Sequence, residues 1–272
     1  MMIHKLVHAA RTWLRHKREP LRLEFVLTDH CNLNCKGCTH YSPLAPKEFA
    51  DFDELCRSMQ HLGRVADGKI GRAYLIGGEP LLYPRINEAM QALRKAFPKA
   101  ALYIFTNGIA LPHMPREFWA ECRRHRFIIA ITRYPIKFDY DAAIELCRRE
   151  DVPCEVFGDR SMADSFFRFA LDPEGRQNAR KSHFKCYNFG CLSVIGNRLF
   201  PCSISACVGH LNKACDTHFK HTAADWLQVD RINSVEQIKA LRDSPVPFCR
   251  YCILPPATVK YGPSRREACE WM

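Results

Sequence analysis

The chain has 272 residues, room for one large domain or for a domain of roughly 150–200 residues with a small companion. Hydrophobic residues make up 47% and charged residues 25%, which excludes a low-complexity or disordered chain and leaves enough apolar material for a buried core. No apolar run reaches about 18 residues, so no membrane span is expected, while the net charge of +11 favours an acidic partner such as a nucleic acid, an anionic substrate or an acidic electron carrier.

Aromatic residues do not interleave with the basic ones in an RNA-binding pattern, so nucleic acid is not the expected partner. The first segment, MMIHKLVHAARTWLRHKREP, is basic and spaces Ile3, Leu6, Ala10, Trp13 and Leu14 as a helix does. It lacks the continuous apolar stretch of a secretory signal. A basic amphipathic helix over 1–20 is the expectation. From Leu21 the pattern alternates. LRLEFVLT (Leu21–Thr28) reads as a strand, Asp51–Ala66 as a helix with an aspartate near its start, and Ala73–Gly78 as a strand running into a glycine turn. Pro84–Phe97 reads as a helix with proline in its first turn, followed by a strand at Ala101–Gly108. A helix at Pro115–Arg126, a strand at Phe127–Thr132, a helix at Tyr140–Glu150 and a strand at Pro153–Gly158 complete the series. After the longer first unit the strands begin roughly every 25–29 residues, which is βα-repeat behaviour with loops gathered at the strands' C-terminal ends.

The pattern changes after about residue 160. A polar, irregular stretch leads to LSVIGNRLFPC (Leu192–Cys202), two short strand-like pieces about a Gly196–Asn197 turn, and then to a helix at Ser234–Ser244. The fold class is therefore α/β, a parallel sheet or partial barrel, with a small α+β domain of hairpin and helix over 176–272; a partial (β/α)6 TIM-like barrel over 21–175 is the expectation.

Fifteen cysteines, an odd number and unevenly clustered, do not suit a disulfide framework in a chain this long. Without a secretion signal they fit a reducing cytoplasm and metal-bound thiolates. CNLNCKGC, Cys31 to Cys38, follows the first strand directly. A structural zinc site wants four ligands, a disulfide would strand one of the three thiols, and a catalytic cysteine needs one thiol and a base. An iron–sulfur cube can use three thiolates and keep its fourth iron open for a chelating ligand.

CNLNCKGC, together with Gly77-Gly78-Glu79-Pro80 after the second strand and Thr106-Asn107-Gly108 after the third, resembles the radical S-adenosylmethionine (radical SAM) superfamily over most of residues 21–157. The resemblance implies that Cys31, Cys35 and Cys38 ligate a 4Fe-4S cluster and that SAM chelates its open iron. Gly77, Gly78, Glu79 and Pro80 would form the SAM turn, with Glu79 or the turn's backbone holding the SAM amino group and glycine giving the backbone close approach to the ligand. Thr106 and Asn107, and less directly Thr132 and Arg133 in IAITRYP, correspond to positions near the ribose and carboxylate. Where the family usually has an aromatic before the third cysteine this chain has Gly37, and His40 or Tyr41 could stand against the adenine; His40 otherwise reads as a packing or hydrogen-bonding residue. The implied activity is reductive cleavage of SAM to a 5′-deoxyadenosyl radical that abstracts a substrate hydrogen.

The later cysteines resemble the SPASM and twitch extensions of the same superfamily, which hold auxiliary 4Fe-4S clusters. The short chain and its one CxxC in PFCRYC favour the one-cluster twitch form, with Cys186, Cys202, Cys249 and Cys252 as ligands and Cys191 competing for the first place. Zinc is the alternative occupant. Cys207 and Cys215 are secondary candidates; Cys56, Cys122 and Cys147 read as buried fillers of helices.

An auxiliary cluster implies oxidation of a substrate, an alcohol to a ketone in twitch relatives, whereas spare thiols permit radical epimerisation. A small molecule, of the sugar, aminocyclitol or nucleotide-linked sugar class, is the expected substrate. A peptide or protein is the alternative; the barrel's start near residue 21 leaves no room for a leader-peptide domain before it. Arg160, Asp164, Arg168 and Arg176 are candidates for the substrate pocket. Reduced flavodoxin or ferredoxin is the expected electron donor, since these are acidic as a class. A non-catalytic electron-transfer protein is the remaining alternative, and it would have no need of the GGEP turn.

Overall fold

A computed structural model describes residues 20–157 and 165–272. The helix expected within 1–20 lies outside the described residues except for Pro20, and so do Arg160 and Asp164. Strand β1 spans Leu21–Thr28, as its apolar run predicts. Helix α1 (Phe52–Ala66) starts where Asp51 accepts a hydrogen bond from the Glu54 amide at 2.8 Å. Its Leu55, Met59, Leu62 and Ala66 form the buried face, at the spacing of an amphipathic helix. β2 (Ile70–Gly77) begins three residues before the expected strand. α2 (Ile86–Ala96) begins after Pro84 rather than at it. A short 3-10 turn at Pro80–Leu82 ends on an extended Tyr83, the conformation a following proline imposes, so the helix starts only beyond Arg85.

β3 (Ala101–Thr106), α3 (Arg116–Arg124), β4 (Phe127–Thr132), α4 (Tyr140–Arg149) and β5 (Cys154–Phe157) follow the expected order with ends shifted by one or two residues. The expected hairpin is present as β7 (Leu192–Ile195) and β8 (Arg198–Phe200), with Gly196 turning at φ +55. The helix expected near Ser234 is α7 (Val235–Asp243), started by a Ser234–Gln237 capping box.

Several elements were not legible. β6 (Ser165–Arg168) pairs antiparallel with β10 (Ala257–Lys260), α5 covers Ala179–Phe184, and β9 is a two-residue strand at Leu227–Gln228. α6 (Ser203–Cys215) is the largest omission. SISACVGHLNKAC is rich in serine and β-branched residues and holds Gly209, all weak helix formers. It is helical because Ile204, Cys207, Val208 and Leu211 bury one stripe.

The main sheet runs β5-β4-β3-β2-β1-β7-β8-β9. β1 to β5 are mutually parallel, and β7 adds a sixth parallel strand on the free edge of β1. This is the partial-barrel α/β architecture, with its last parallel strand supplied by the C-terminal hairpin. The sheet therefore continues across the expected 175/176 boundary. One face of β1, carrying Leu21, Leu23, Phe25 and Leu27, packs into the helix-covered core. On the other face Glu24 lies opposite Tyr74 on β2 and Ser193 on β7, so the row facing the barrel interior is polar and aromatic.

Candidate active site

The loop after β1 carries the three thiols. The His30 amide donates to Thr28 Oγ1 at 3.0 Å and the Leu33 amide to Cys31 Sγ at 3.3 Å. Gly37 turns through φ +70, a conformation that favours glycine. The chain's last segment crosses this loop. The Lys36 amide donates to the Gly262 carbonyl at 3.0 Å and the Ser264 amide to the Asn34 carbonyl at 2.8 Å. Tyr261 Oη lies 3.4 Å from Cys35 Sγ, and Trp271 Nε1 donates to the Cys38 carbonyl at 2.9 Å.

The turn after β2 is pressed against the same loop. The Gly78 amide donates to the Thr28 carbonyl at 2.7 Å and the Glu79 amide to the His30 carbonyl at 2.9 Å. A Cβ on Gly77 would overlap the Thr28 carbonyl oxygen, and one on Gly78 would overlap the carbonyls of Asp29 and His30. The glycine pair thus has a purpose within the fold, backbone against backbone, apart from any approach to a ligand. Glu79, expected to face SAM, is instead fully buried, turned inward and, like Pro80, absent from the cavity lining described below, which leaves the turn's backbone as its contact surface. It accepts from Thr106 Oγ1 at 2.7 Å, from the Asn107 amide at 2.9 Å and from the Leu81 amide at 3.1 Å. Burial pushes its carboxyl up to about 7 against those three donors. Pro80 is buried at the start of the 3-10 turn. Asn107 also donates from Nδ2 to Asn32 Oδ1 at 2.7 Å, joining the end of β3 to the thiol loop.

These pieces enclose a cavity of about 640 Å³ at the C-terminal ends of the parallel strands. Cys31, Cys35 and Cys38 line it with Gly77, Gly78, Thr106, Asn107, Thr132 and Arg133, and Glu24, His40 and Cys191 line it too. Arg133 is tied to Asp141 at 2.7 Å. Burial pushes the Cys31 thiol up to about 12 and the Cys35 thiol up to about 11. Such thiols stay protonated until a metal displaces the proton.

A cluster and SAM fit this donor set. Three thiols face one cavity, no fourth cysteine of the same loop competes, and the adjoining turn presents a side-chain-free backbone. The volume lies within the usual range for small-molecule sites, about 300–1,000 Å³.

The second thiol group lies beside it. Cys186, Cys202, Cys249 and Cys252 line a separate cavity of about 40 Å³, brought together from the approach to β7, the N-terminus of α6 and the 3-10 turn Pro247–Tyr251. Phe169 and Asn188 line both cavities. Burial pushes the Cys186 thiol up to about 12 and raises Cys202, Cys249 and Cys252 as well. Cys191 is placed differently. It lines the larger cavity and accepts from Arg22 Nη2 at 2.7 Å, and burial followed by the Glu24 charge raises its thiol.

Some expected site residues lie elsewhere. Tyr41 is 1% exposed and packs on Trp271 with ring centroids 5.7 Å apart, away from the cavity wall that His40 reaches. Arg168 donates to the Cys269 carbonyl at 3.2 Å and Arg176 sits 3.8 Å from Asp172; neither lines the cavity. Cys122 and Cys147 are buried fillers, but Cys56 is partly exposed. Glu24, Tyr261 and Trp271 were missed. For Glu24 a signal existed, since a carboxylate interrupts the apolar run of a parallel strand. Tyr261 and Trp271 had none, because a loop-to-loop crossing leaves no periodic trace.

The chain is thus a parallel α/β partial barrel with three thiols on the first βα loop and a glycine turn after the second strand. Residues 25–132 match the family model of the Radical SAM superfamily, whose cofactors are a 4Fe-4S cluster and SAM. The GTP 3′,8-cyclase of Helicobacter pylori (strain J99 / ATCC 700824) is 30% identical over 93 residues, 33% of this chain and 28% of that enzyme. The probable GTP 3′,8-cyclase of Methanothermobacter thermautotrophicus is 31% identical over 100 residues, 36% of this chain and 30% of its own. The chain thus spans under a third of the length of these two curated relatives. The crystal structure of BtrN in complex with AdoMet and 2-DOIA superposes with a TM-score of 0.52 at 15% identity, over 86% of this chain and 93% of that one, and so shares the fold. Among the described residues no helix is long and apolar enough to cross a membrane.

Proposed function

We propose that this radical SAM enzyme oxidises a small molecule, with Cys31, Cys35 and Cys38 holding the SAM-binding cluster and Cys186, Cys202, Cys249 and Cys252 holding an auxiliary 4Fe-4S cluster in a twitch-like C-terminal unit. The observation that carries the reading is the pair of adjoining cavities, one lined by three thiols and the glycine turn, the other by four thiols, with Phe169 and Asn188 common to both walls. When bound, the cofactors supply one-electron cleavage of SAM, hydrogen-atom abstraction from the substrate and an acceptor for the substrate's second electron. The residues of the chain do the positioning. The Gly77-Gly78 backbone offers close approach to SAM, Asn107 holds the thiol loop through Asn32, and Thr132 and Arg133 form the wall next to it. Glu24, steadied by Ser193 Oγ at 3.3 Å, is the carboxylate that can accept a substrate hydroxyl proton as an alcohol becomes a ketone.

A small molecule is favoured because the fold neighbour over most of its length was solved with AdoMet and 2-DOIA. A sugar or aminocyclitol suits a cavity lined by Glu24, Thr132 and Arg133; a peptide substrate is the alternative. One observation favours a second reading, epimerisation. Cys191 faces the larger cavity with its thiol held protonated by burial, as a hydrogen-atom donor must be. The net charge of +11 suits docking of an acidic donor such as reduced flavodoxin or ferredoxin.

The test is an anaerobic iron count on the wild type and on a Cys31/Cys35/Cys38 triple alanine, followed by dithionite and SAM. About eight irons falling to about four, with 5′-deoxyadenosine made only by the wild type, are expected. About four irons falling to none would remove the auxiliary cluster and the oxidative reading with it. A wild type that holds iron at neither site sinks the proposal.

A further inference from the structure

Asp29, His40 and Cys207 hold neither cluster in the function proposed above, yet their polar atoms converge. Asp29 Oδ1 lies 3.4 Å from His40 Nδ1. Cys207 Sγ lies 3.5 Å from the same Oδ1 and 3.8 Å from His40 Nδ1. Among the described residues this is the one group of three metal-type donors whose ligand atoms all fall within 4.8 Å of one another. Each edge is within hydrogen-bond reach by itself, but His40 Nδ1 cannot donate to Asp29 and accept from the Cys207 thiol at once, so hydrogen bonds do not account for all three edges together. A tetrahedral zinc ion does. Zinc bonds of about 2.0 Å to oxygen and nitrogen and about 2.3 Å to sulfur give ligand–ligand edges of about 3.3–3.6 Å. The three observed edges lie within a few tenths of an ångström of those values.

The surroundings agree. His210 Nε2 lies 2.8 Å from Asp29 Oδ2, so one carboxylate oxygen is fixed from behind while the other faces the thiol and imidazole. That is how an outer hydrogen bond orients a ligating carboxylate. Cys207 and His210 are three residues apart on α6 and therefore share a face. Mixed oxygen, nitrogen and sulfur donors at this spacing suit a borderline-soft divalent ion rather than calcium or magnesium.

We propose that Asp29 Oδ1, His40 Nδ1 and Cys207 Sγ bind one divalent ion of the zinc class beside the larger cavity, whose wall His40 reaches, and apart from the seven cysteines assigned to the clusters, with His210 positioning Asp29 and water free to take the fourth place. Asp29 stands two residues before Cys31 and His40 two residues after Cys38. The ion staples both ends of the thiol loop to α6, fixing from the C-terminal half the loop that the superfamily uses for its chemistry.

The experiment measures zinc and iron together on anaerobically prepared, iron-loaded protein. About one zinc per chain is expected in the wild type, in the Cys31/Cys35/Cys38 triple alanine and in Cys249→Ser, and none in Cys207→Ser, whose iron stays as in the wild type. Zinc absent from the wild type, zinc kept by Cys207→Ser, or zinc lost with Cys249→Ser overturns the proposal. His210→Ala keeps it falsifiable should Cys207→Ser not fold. Competition with a chelator is expected to show zinc held about 10–100-fold more weakly, as for other outer-sphere ligands. Unchanged affinity in His210→Ala rejects the site. Iron and zinc are read independently, so failure here and failure of the cluster assignments give different results.

Discussion

Cys31, Cys35 and Cys38 come from eight consecutive residues on one loop, whereas Cys186, Cys202, Cys249 and Cys252 arrive from three separate segments. The first group faces a cavity of about 640 Å³ and the second one of about 40 Å³. The difference has a physical reading. A group that must admit a chelating cosubstrate needs open space and a short, locally determined loop. A group that closes on its own occupant can be assembled by packing and needs no room beyond it. Backbone hydrogen bonds hold the first, from Thr28, His30, Asn34 and Lys36 to the glycine turn and the C-terminal segment. Burial holds the second, beside Phe248 and Ile204.

The largest effect expected from that contrast is functional separation. Cys249→Ser with Cys252→Ser is expected to lose about four irons and all oxidised product while still forming 5′-deoxyadenosine from SAM and dithionite. Iron analysis and chromatography of the nucleoside check it. If SAM cleavage disappears too, the two groups are not independent and the contrast fails.

The same contrast explains what the sequence could reveal. The first group, the glycine turn and the βα order were legible because each is set within a few residues: C-x3-C-x2-C spacing, an apolar strand, an aspartate cap at Asp51. The hairpin was legible from Gly196–Asn197. The company kept by Cys186, as against Cys191, was not. Five residues apart, they face different cavities, and only the partners from α6 and the 3-10 turn at Pro247–Tyr251 separate them. α6 itself was hidden because its residues favour a helix only once buried. The strap carrying Tyr261 and Trp271 was hidden because its contacts reach back more than two hundred residues in sequence, to Cys35 and Cys38.

Trp271→Ala probes that long-range support of the first group. The indole is 1% exposed, packs on Tyr41 and donates to the Cys38 carbonyl. Its loss is expected to cost about 3–5 kcal/mol, the usual range for a buried tryptophan. The melting temperature should fall by roughly 10 °C, and iron should leave the first site faster on gel filtration. A shift of under about 2 °C would show that the loop holds itself.

Glu79 gives the first group a pH signature on the acidic side of neutrality, whereas the raised thiols of the second titrate on the alkaline side. Its folded carboxyl is raised from 4.5 to about 7, so the native protein binds this proton more tightly than the unfolded chain. Between those values the folded state carries the extra proton. Stability from this group therefore falls as pH rises through the window, by roughly 3 kcal/mol in all, and the loss is complete above it. Glu79→Gln keeps an acceptor for Thr106 and Leu81 and cannot ionise. Urea midpoints at about pH 5 and about pH 8 are expected to differ less in the variant than in the wild type. Equal differences in both would place the carboxyl's titration outside this window.

The smallest effect tests whether space alone demands glycine at the turn. In Gly77→Ala the new methyl group meets the Thr28 carbonyl, part of the backbone pairing between β1 and the turn, and a peptide oxygen in a sheet has little freedom to retreat. Overpacking of this kind costs about 1–3 kcal/mol. The β1 end and the thiol loop that follows it should shift together, so SAM binding should weaken more than the fold does. A thermal melt and an isothermal titration with SAM on the same preparation separate the two quantities. A variant that melts lower and binds SAM as before would mean that the glycine pair serves only the packing of β2 on β1. A variant that also binds SAM more weakly would mean that one backbone contact, Gly78 to Thr28, sets the geometry of both the strand pair and the cofactor turn.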